Sequence, residues 1–334
     1  MGTIWELQDA DREAFADELD GFVPPRVYDA HAHLYRAAWW DDPPAAVSAG
    51  PHDITLPVYR EQMEWILPGR EVHGLHFAYP FPTDSSAAIA AANAWVAQET
   101  ATDPLARGQV LVRPTDDPEW VRHEVKRLGL RGFKPFIYYS RVPDMYQAEL
   151  PDYFPEALAA VADDEGWSVT LHIVRSRGIA DPSNQHWIRR YCETYPDMQM
   201  ILDHCARGFN PYHVLKGLPA LAGLANLWID TSAVCNSPAV EAVARLIGPQ
   251  RMLYGSDFYI SHIRGTNFGV GDTFIWIDEN TPVGDIPYSP QARLPLVGIE
   301  NLRAVKAAFW SARLTDGDIE DYFWNNAAEL LGLG

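Results

Sequence analysis

The feature that most constrains this chain is an alternation. Eight short runs rich in apolar, β-branched and aromatic residues, at 26–34, 73–80, 108–113, 129–136, 167–174, 198–205, 226–232 and 251–258, are separated by longer amphipathic stretches. Each gap leaves room for a loop, a helix and a return, as parallel strands require. Helices are expected at 84–101, 117–128, 153–165, 183–195, 211–222 and 237–247, several opened by capping signals such as Thr83-Asp84-Ser85 and Asp181-Pro182-Ser183. Eight strand and helix units predict an α/β fold of the (β/α)8 TIM-barrel type. Such barrels run to about 250 residues or more as one unit, so residues 1–334 are read as a single domain. Two segments fall outside the pattern. Residues 1–25 form an acidic N-terminal extension, expected as a helix against the barrel bottom. The Gly/Pro-rich stretch from about 259 to 297 follows the last strand, on the face where barrel active sites occur, and reads as a lid or substrate loop, with a plain surface excursion as the alternative.

Composition narrows the partners. Twenty-six basic against 45 acidic residues give a net charge of −19, which argues against nucleic acid and leaves a small molecule as the expected partner. Cys192, Cys205 and Cys235 are too few and too irregular for a disulfide framework or a thiolate zinc site, and a reducing cytoplasm fits. The start MGTIWELQDADREAF lacks the basic and apolar regions of a signal peptide, and no apolar run is long enough to span a membrane. A homodimer is the default expectation for such a barrel.

The strongest chemical signal is Asp29-Ala30-His31-Ala32-His33, in which the two histidines are two apart and point to one side of a strand. His172 in SVTLHIV, His204 in MILDHCA and Asp257 in MLYGSDF stand at the C-terminal ends of later runs. In a closed barrel those ends surround one cavity, so residues distant in sequence become candidate ligands of one cation. There is no Gly-x-Ser-x-Gly elbow, P-loop or GxGxxG, and Cys205 should face away from His204.

With the YDAHAHLY start, the two later histidines, the YGSDF segment and the closing NNAAELLGL (325–333), the chain resembles the amidohydrolase superfamily, in its amidohydrolase-2 branch of metal-dependent hydrolases and decarboxylases. That resemblance implies that His31, His33, His172 and Asp257 bind a divalent metal while His204 sits beside it. Zinc suits mixed imidazole and carboxylate donors, with manganese or iron also open. Asp257 is then the candidate proton acceptor and His204 the partner of a substrate oxygen.

Lys134 in GFKPF is open to three readings: a carboxylated lysine bridging two metals, an ammonium binding a substrate carboxylate, or a structural ion pair. Arg175, Arg207 and His262 are further candidates for gripping an anionic substrate. Phe136-Ile137-Tyr138-Tyr139 and Trp39-Trp40 would suit a flat ring or serve packing alone. The leading expectation is hydrolysis of an amide, lactone or related carbonyl by metal-activated water. Non-oxidative decarboxylation of an aromatic or enol acid is the alternative, and a barrel that only binds ligand is the third.

Overall fold

The computed structural model describes residues 5–278, 281 and 294–333. Eight parallel strands lie within or across the eight runs: β1 (Arg26–Arg36), β2 (Glu71–Ala78), β3 (Arg107–Gly108, resuming after Gln109 as Val110–Val112), β4 (Gly132–Pro135), β5 (Ser168–Leu171), β6 (Gln199–Leu202), β7 (Leu227–Asp230) and β8 (Met252–Leu253). Each pairs with its sequence neighbour; Arg107 and Gly108 of β3 bond β2, whereas Val110–Val112 bond β4. Closure occurs between β8 and β1. Ala30 N donates to Tyr254 O at 2.8 Å, Asp257 N donates to His31 O at 2.9 Å, and Ala32 bridges Phe258. The ring therefore leaves no strand edge exposed.

Helices cover the outside at Leu56–Met63, Ser86–Thr100, Pro118–Leu128, Glu156–Glu165, Pro182–Thr194, Pro211–Gly217, Ser237–Leu246 and Val297–Ala312. The capping signals act as expected: the Ser85 hydroxyl accepts from Ala88 N at 3.2 Å and Asp181 Oδ1 from Ser183 N at 2.9 Å. Strands β5, β6 and β8 end earlier than their apolar runs. His172, His204 and Asp257 consequently stand on the turns just beyond them.

The barrel bottom is filled by Tyr28, Ala30, Leu75, Phe77, Ile201, Trp228 and Leu253 and closed by Ala327 and Leu331 of the helix Asn326–Leu331. The N-terminal extension does not cap this end, contrary to the sequence expectation. It runs along the side instead, with Glu18 paired to Arg303 of Val297–Ala312 and Phe22 edge-on to Phe309. Charge explains the route. Asp11, fully buried, meets the Arg264 guanidinium of the segment after β8 at 2.8 Å, and neither ion tolerates burial unpaired.

After β8 the chain forms an antiparallel hairpin, β9 (Gly265–Val270) and β10 (Thr273–Asp278). The remainder of the expected lid, at 279–280 and 282–293, lies outside the described residues, as do residues 1–4. Among the described residues no helix is long and apolar enough to cross a membrane.

His262, on the short turn after β8, donates from Nε2 to Gln62 O (2.9 Å), meets Ser261 Oγ through Nδ1 (3.1 Å) and lies between Trp5, Trp65 and Phe258. Burial pushes it down to about 4 from the ordinary 6.5, only partly opposed by the Gln62 carbonyl. Burial likewise pushes His76 down to about 3. Below pH 6.5 the unfolded chain takes up protons that these folded imidazoles refuse, so stability falls as pH drops from about 6.5 toward about 4. The His262 share at pH 5 is about 2 kcal/mol. Urea unfolding at pH 7 and pH 5 should show at least this loss, and His262→Gln should remove about that much of the difference. An unchanged difference in the variant would contradict the assignment.

Candidate functional site

The site begins with an interruption in β1. Asp29 pairs with Gly74 of β2 and Ala32 pairs with His76, so three steps on β1 match two on β2. This bulge changes the inward parity: Tyr28 and Ala30 face the lower core, and above them His31 and His33 face the cavity. Without it the same alternation would continue through Ala32 and turn both imidazoles outward. Asp29 holds the bulge, its Oδ1 accepting from His31 N (3.0 Å) and Ser256 N (2.8 Å) and its Oδ2 from Tyr59 OH (2.7 Å). Burial raises this carboxyl to about 6 against the pull of those hydrogen bonds.

A second irregularity places His204. Residues His204, Cys205, Ala206 and Arg207 all have positive φ, at 57, 51, 57 and 59°, forming one left-handed turn in which Arg207 N donates to Asp203 O at 3.1 Å. Each such non-glycine residue costs ~1–2 kcal/mol, so surrounding bonds must impose the turn. Asp230 supplies one, its Oδ1 accepting from His204 N at 2.9 Å. The same oxygen accepts from Ser232 N, while Oδ2 faces His31 Nδ1 at 2.9 Å. Burial opposes ionisation of Asp230, but His31 outweighs it and holds the carboxyl below the ordinary range. The left-handed turn orients both His204 and Arg207 into the cavity.

Three donors converge. His31 Nε2 and His33 Nε2 lie 3.2 Å apart, and Asp257 Oδ1 is 3.5 Å from the first and 3.3 Å from the second. All three residues are buried, and their ligand atoms lie within 4.8 Å of one another. Hydrogen-bonded through Nδ1 to Asp230, a neutral His31 would present a lone pair at Nε2, the arrangement by which a carboxylate orients a metal-ligating imidazole. Burial pushes His33 down to about 3, partly countered by Asp257. Asp257 is itself held below the ordinary range: burial disfavours its charge, but His204, His33 and His31 overcome that. This donor set fits a divalent cation.

His172, expected as the fourth donor, lines the same cavity, but its Nε2 accepts from Arg207 Nη1 at 3.1 Å and it lies outside the cluster of His31, His33 and Asp257. Burial, with His204 and the Arg207 guanidinium close by, keeps it neutral, well below the ordinary value. His204 turns Nδ1 to Ser232 O at 3.1 Å, leaving Nε2 3.9 Å from Asp257 Oδ2. Lys134 adopts the ion-pair arrangement among its three readings, Nζ donating to Asp203 Oδ2 at 2.6 Å on the cavity floor. Arg207 lines the cavity with no carboxylate in ion-pair range among the described residues.

Two expected substrate residues do not reach the cavity. Arg175, at positive φ, turns to Glu149 (3.3 Å) and Asp181 (3.9 Å) on the rim. His262 is directed by its turn into the aromatic contacts described above. Trp39 and Trp40 serve packing, stacking on Phe81 or crossing Trp95 and Tyr35, whereas Phe136, Ile137 and Tyr138 do line the cavity. The cavity holds about 340 Å³, with a polar floor and walls that include Tyr79, Phe136, Tyr138, Phe209, Phe274 and Trp276. Sequence reasoning gave no role to Asp29, Asp203, Asp230, Ser232 or the hairpin aromatics. Asp230 ends β7 in LWIDTS, the same strand-end signal that singled out Asp257, and Asp203 directly precedes His204.

Residues 28–333 match the family model described as amidohydrolase, whereas no curated protein matches the sequence. Solved structures with a similar fold include 5-carboxyvanillate decarboxylase from Sphingomonas paucimobilis, at 16% identity and a TM-score of 0.58, covering 92% of this chain and 99% of that one. A protein described as a 2-pyrone-4,6-dicarboxylic acid hydrolase, from Pseudomonas putida, aligns at 18% identity and a TM-score of 0.55, covering 93% and 98%. The 5-carboxyvanillate decarboxylase from Novosphingobium aromaticivorans, complexed with manganese and 4-hydroxy-3-methoxy-5-nitrobenzoic acid, aligns at 14% and 0.56, covering 94% and 97%.

Proposed function

This chain belongs to the amidohydrolase family, and from that premise we propose that it is a metal-dependent hydrolase of a small planar substrate carrying a carboxylate, cleaving an ester, lactone or amide carbonyl. The observation that carries the reading is the Asp257 carboxylate beside two imidazole nitrogens on the floor of an aromatic-walled cavity, with the Arg207 guanidinium free of a carboxylate among the described residues. His31, His33 and Asp257 would hold the cation, and His172 would join them once its Nε2 gave up the Arg207 hydrogen bond. Zinc suits that donor set, and the manganese-bound Novosphingobium decarboxylase keeps manganese in view. When bound, the cation supplies Lewis acidity to a carbonyl and to water.

The chain's own groups do the rest. Asp257, held ionised, accepts the proton of the attacking water. His204 then takes a proton at Nε2, 3.9 Å from Asp257, and donates it to the leaving oxygen or nitrogen, its ring fixed by Ser232. Arg207, on the cavity lining, pairs with the substrate carboxylate. Lys134 neutralises Asp203, so the floor does not repel an anion.

A second reading has an observation in its favour, because the aromatic walls suit a hydroxylated benzoate. In decarboxylation the same Asp257 would take the hydroxyl proton and return it to ring carbon as carbon dioxide leaves. Metal-loaded protein should be offered lactone carboxylates and hydroxybenzoates, with acid release and carbon dioxide both measured. Acid without carbon dioxide is the expected result; carbon dioxide would replace it with the second reading. No turnover with either class, with zinc or manganese, would leave a barrel that only binds. In the active case Arg207→Met should raise KM by roughly 10- to 100-fold with a smaller change in kcat.

A further inference from the structure

We propose that the hairpin of β9 and β10 is a fixed aromatic wall selecting a planar ring, and that buried Asn210 is the residue that positions it. This rests on reading the cavity as the site of a carboxylate-bearing ring. In the hairpin register Asn267 opposes Trp276 and Gly269 opposes Phe274, so the two aromatics share one face with two small or polar partners. That face looks into the cavity. Phe274 and Trp276 contact Phe209 at centroid distances of 4.9 and 5.4 Å, and the Arg207 guanidinium stands 5.6 Å from the Phe274 ring. Phe136 and Tyr138 form another part of the lining.

A two-stranded hairpin is marginal by itself, so its position depends on what ties it down. The base is tied by Asn267, 1% exposed, which donates to Ala233 O at 2.7 Å and accepts from Cys235 N at 3.2 Å on the segment after β7. The turn is tied by Asn210, fully buried, whose Nδ2 donates to Gly271 O at 3.0 Å and Thr273 O at 2.7 Å. Its Oδ1 meanwhile caps the helix Pro211–Gly217 by accepting from Tyr212 N at 3.0 Å. A Cβ on Gly269 would lie 2.9 Å from Asn210 Cγ, so the strand and the amide are in direct contact. Outside, Asp272 accepts from Arg177 Nη2 at 2.6 Å and meets His213 at 3.1 Å. With base and turn both anchored by buried amides, Phe274 and Trp276 are held as a wall beside Arg207. A flat ring gains a stacking surface there; a puckered ring of equal charge keeps only the guanidinium.

The test uses benzoate and cyclohexanecarboxylate, which share a carboxylate and differ in planarity, titrated calorimetrically into zinc-loaded protein. Benzoate should bind about five- to tenfold more tightly. Asn210→Asp keeps the helix cap but removes both N–H donors to the turn; it should bring the ratio to about one while leaving cyclohexanecarboxylate affinity within roughly twofold. Trp276→Ala, at an exposed position, should do the same with both anchoring asparagines left in place. A ratio near one in the unaltered protein, a ratio preserved in both variants, or no saturable binding of either carboxylate would overturn the proposal. Benzoate undergoes no turnover in this experiment, so a failed hydrolysis assay leaves its result readable.

Discussion

Asp257→Asn is expected to lower kcat by roughly 10³-fold or more while the barrel stays folded. Residue 257 sits at φ 51°, a region that asparagine, like aspartate, adopts more readily than most non-glycine residues. The amide is nearly the same shape and leaves the backbone bond from residue 257 N to His31 O intact. What disappears is the charge between His31 and His33 and the capacity to take a proton. Metal content by elemental analysis, thermal unfolding and kcat should be measured on one preparation. Full turnover in the variant would remove Asp257 from the chemistry, and unfolding would show that its part is structural.

Gly132→Ala should be among the most destabilising single changes in the molecule, costing more than about 4 kcal/mol or abolishing soluble expression. Gly132 opens β4 at φ 149°, and a Cβ there would lie 1.8 Å from the Ser168 carbonyl oxygen of β5. Relief requires the two paired strands to separate, and the barrel cannot open at one seam without disturbing closure elsewhere. Gly166→Ala provides the contrast. It too has positive φ, 62°, but nothing lies within 4 Å, so about 1–2 kcal/mol of backbone strain is the whole cost. Urea midpoints of the two variants compare collision plus strain with strain alone. Equal midpoints would show that the β4–β5 seam yields easily.

Much of the site was legible because its residues obey local rules. His31-x-His33, the strand-end His172, His204 and Asp257, and Phe136 and Tyr138 all come to one cavity. Arg175 and Arg207 show where local rules stop. Each stands three residues beyond a candidate histidine, yet Arg207 is carried inward by the left-handed turn while Arg175 is drawn to Glu149 and Asp181. His262 was eligible by position alone, and its burial beside Trp5 and Trp65 depends on elements some two hundred residues earlier.

Unaided, the amino-acid order determined that eight apolar runs alternate with helices, that a barrel results, and that its C-terminal rim carries imidazoles and a carboxylate. These follow from periodicity, which each segment expresses by itself. The direction of His31 and His33 was decided only on folding. Simple alternation joins Tyr28 and Ala30 to Ala32, and the histidines face the cavity because a bulge shifts the count. That bulge exists through Asp29, whose partners Ser256 and Tyr59 come from the turn after β8 and from the helix Leu56–Met63. Long-range hydrogen bonds of this kind overrule a two-residue period, and the period alone contains no sign of them.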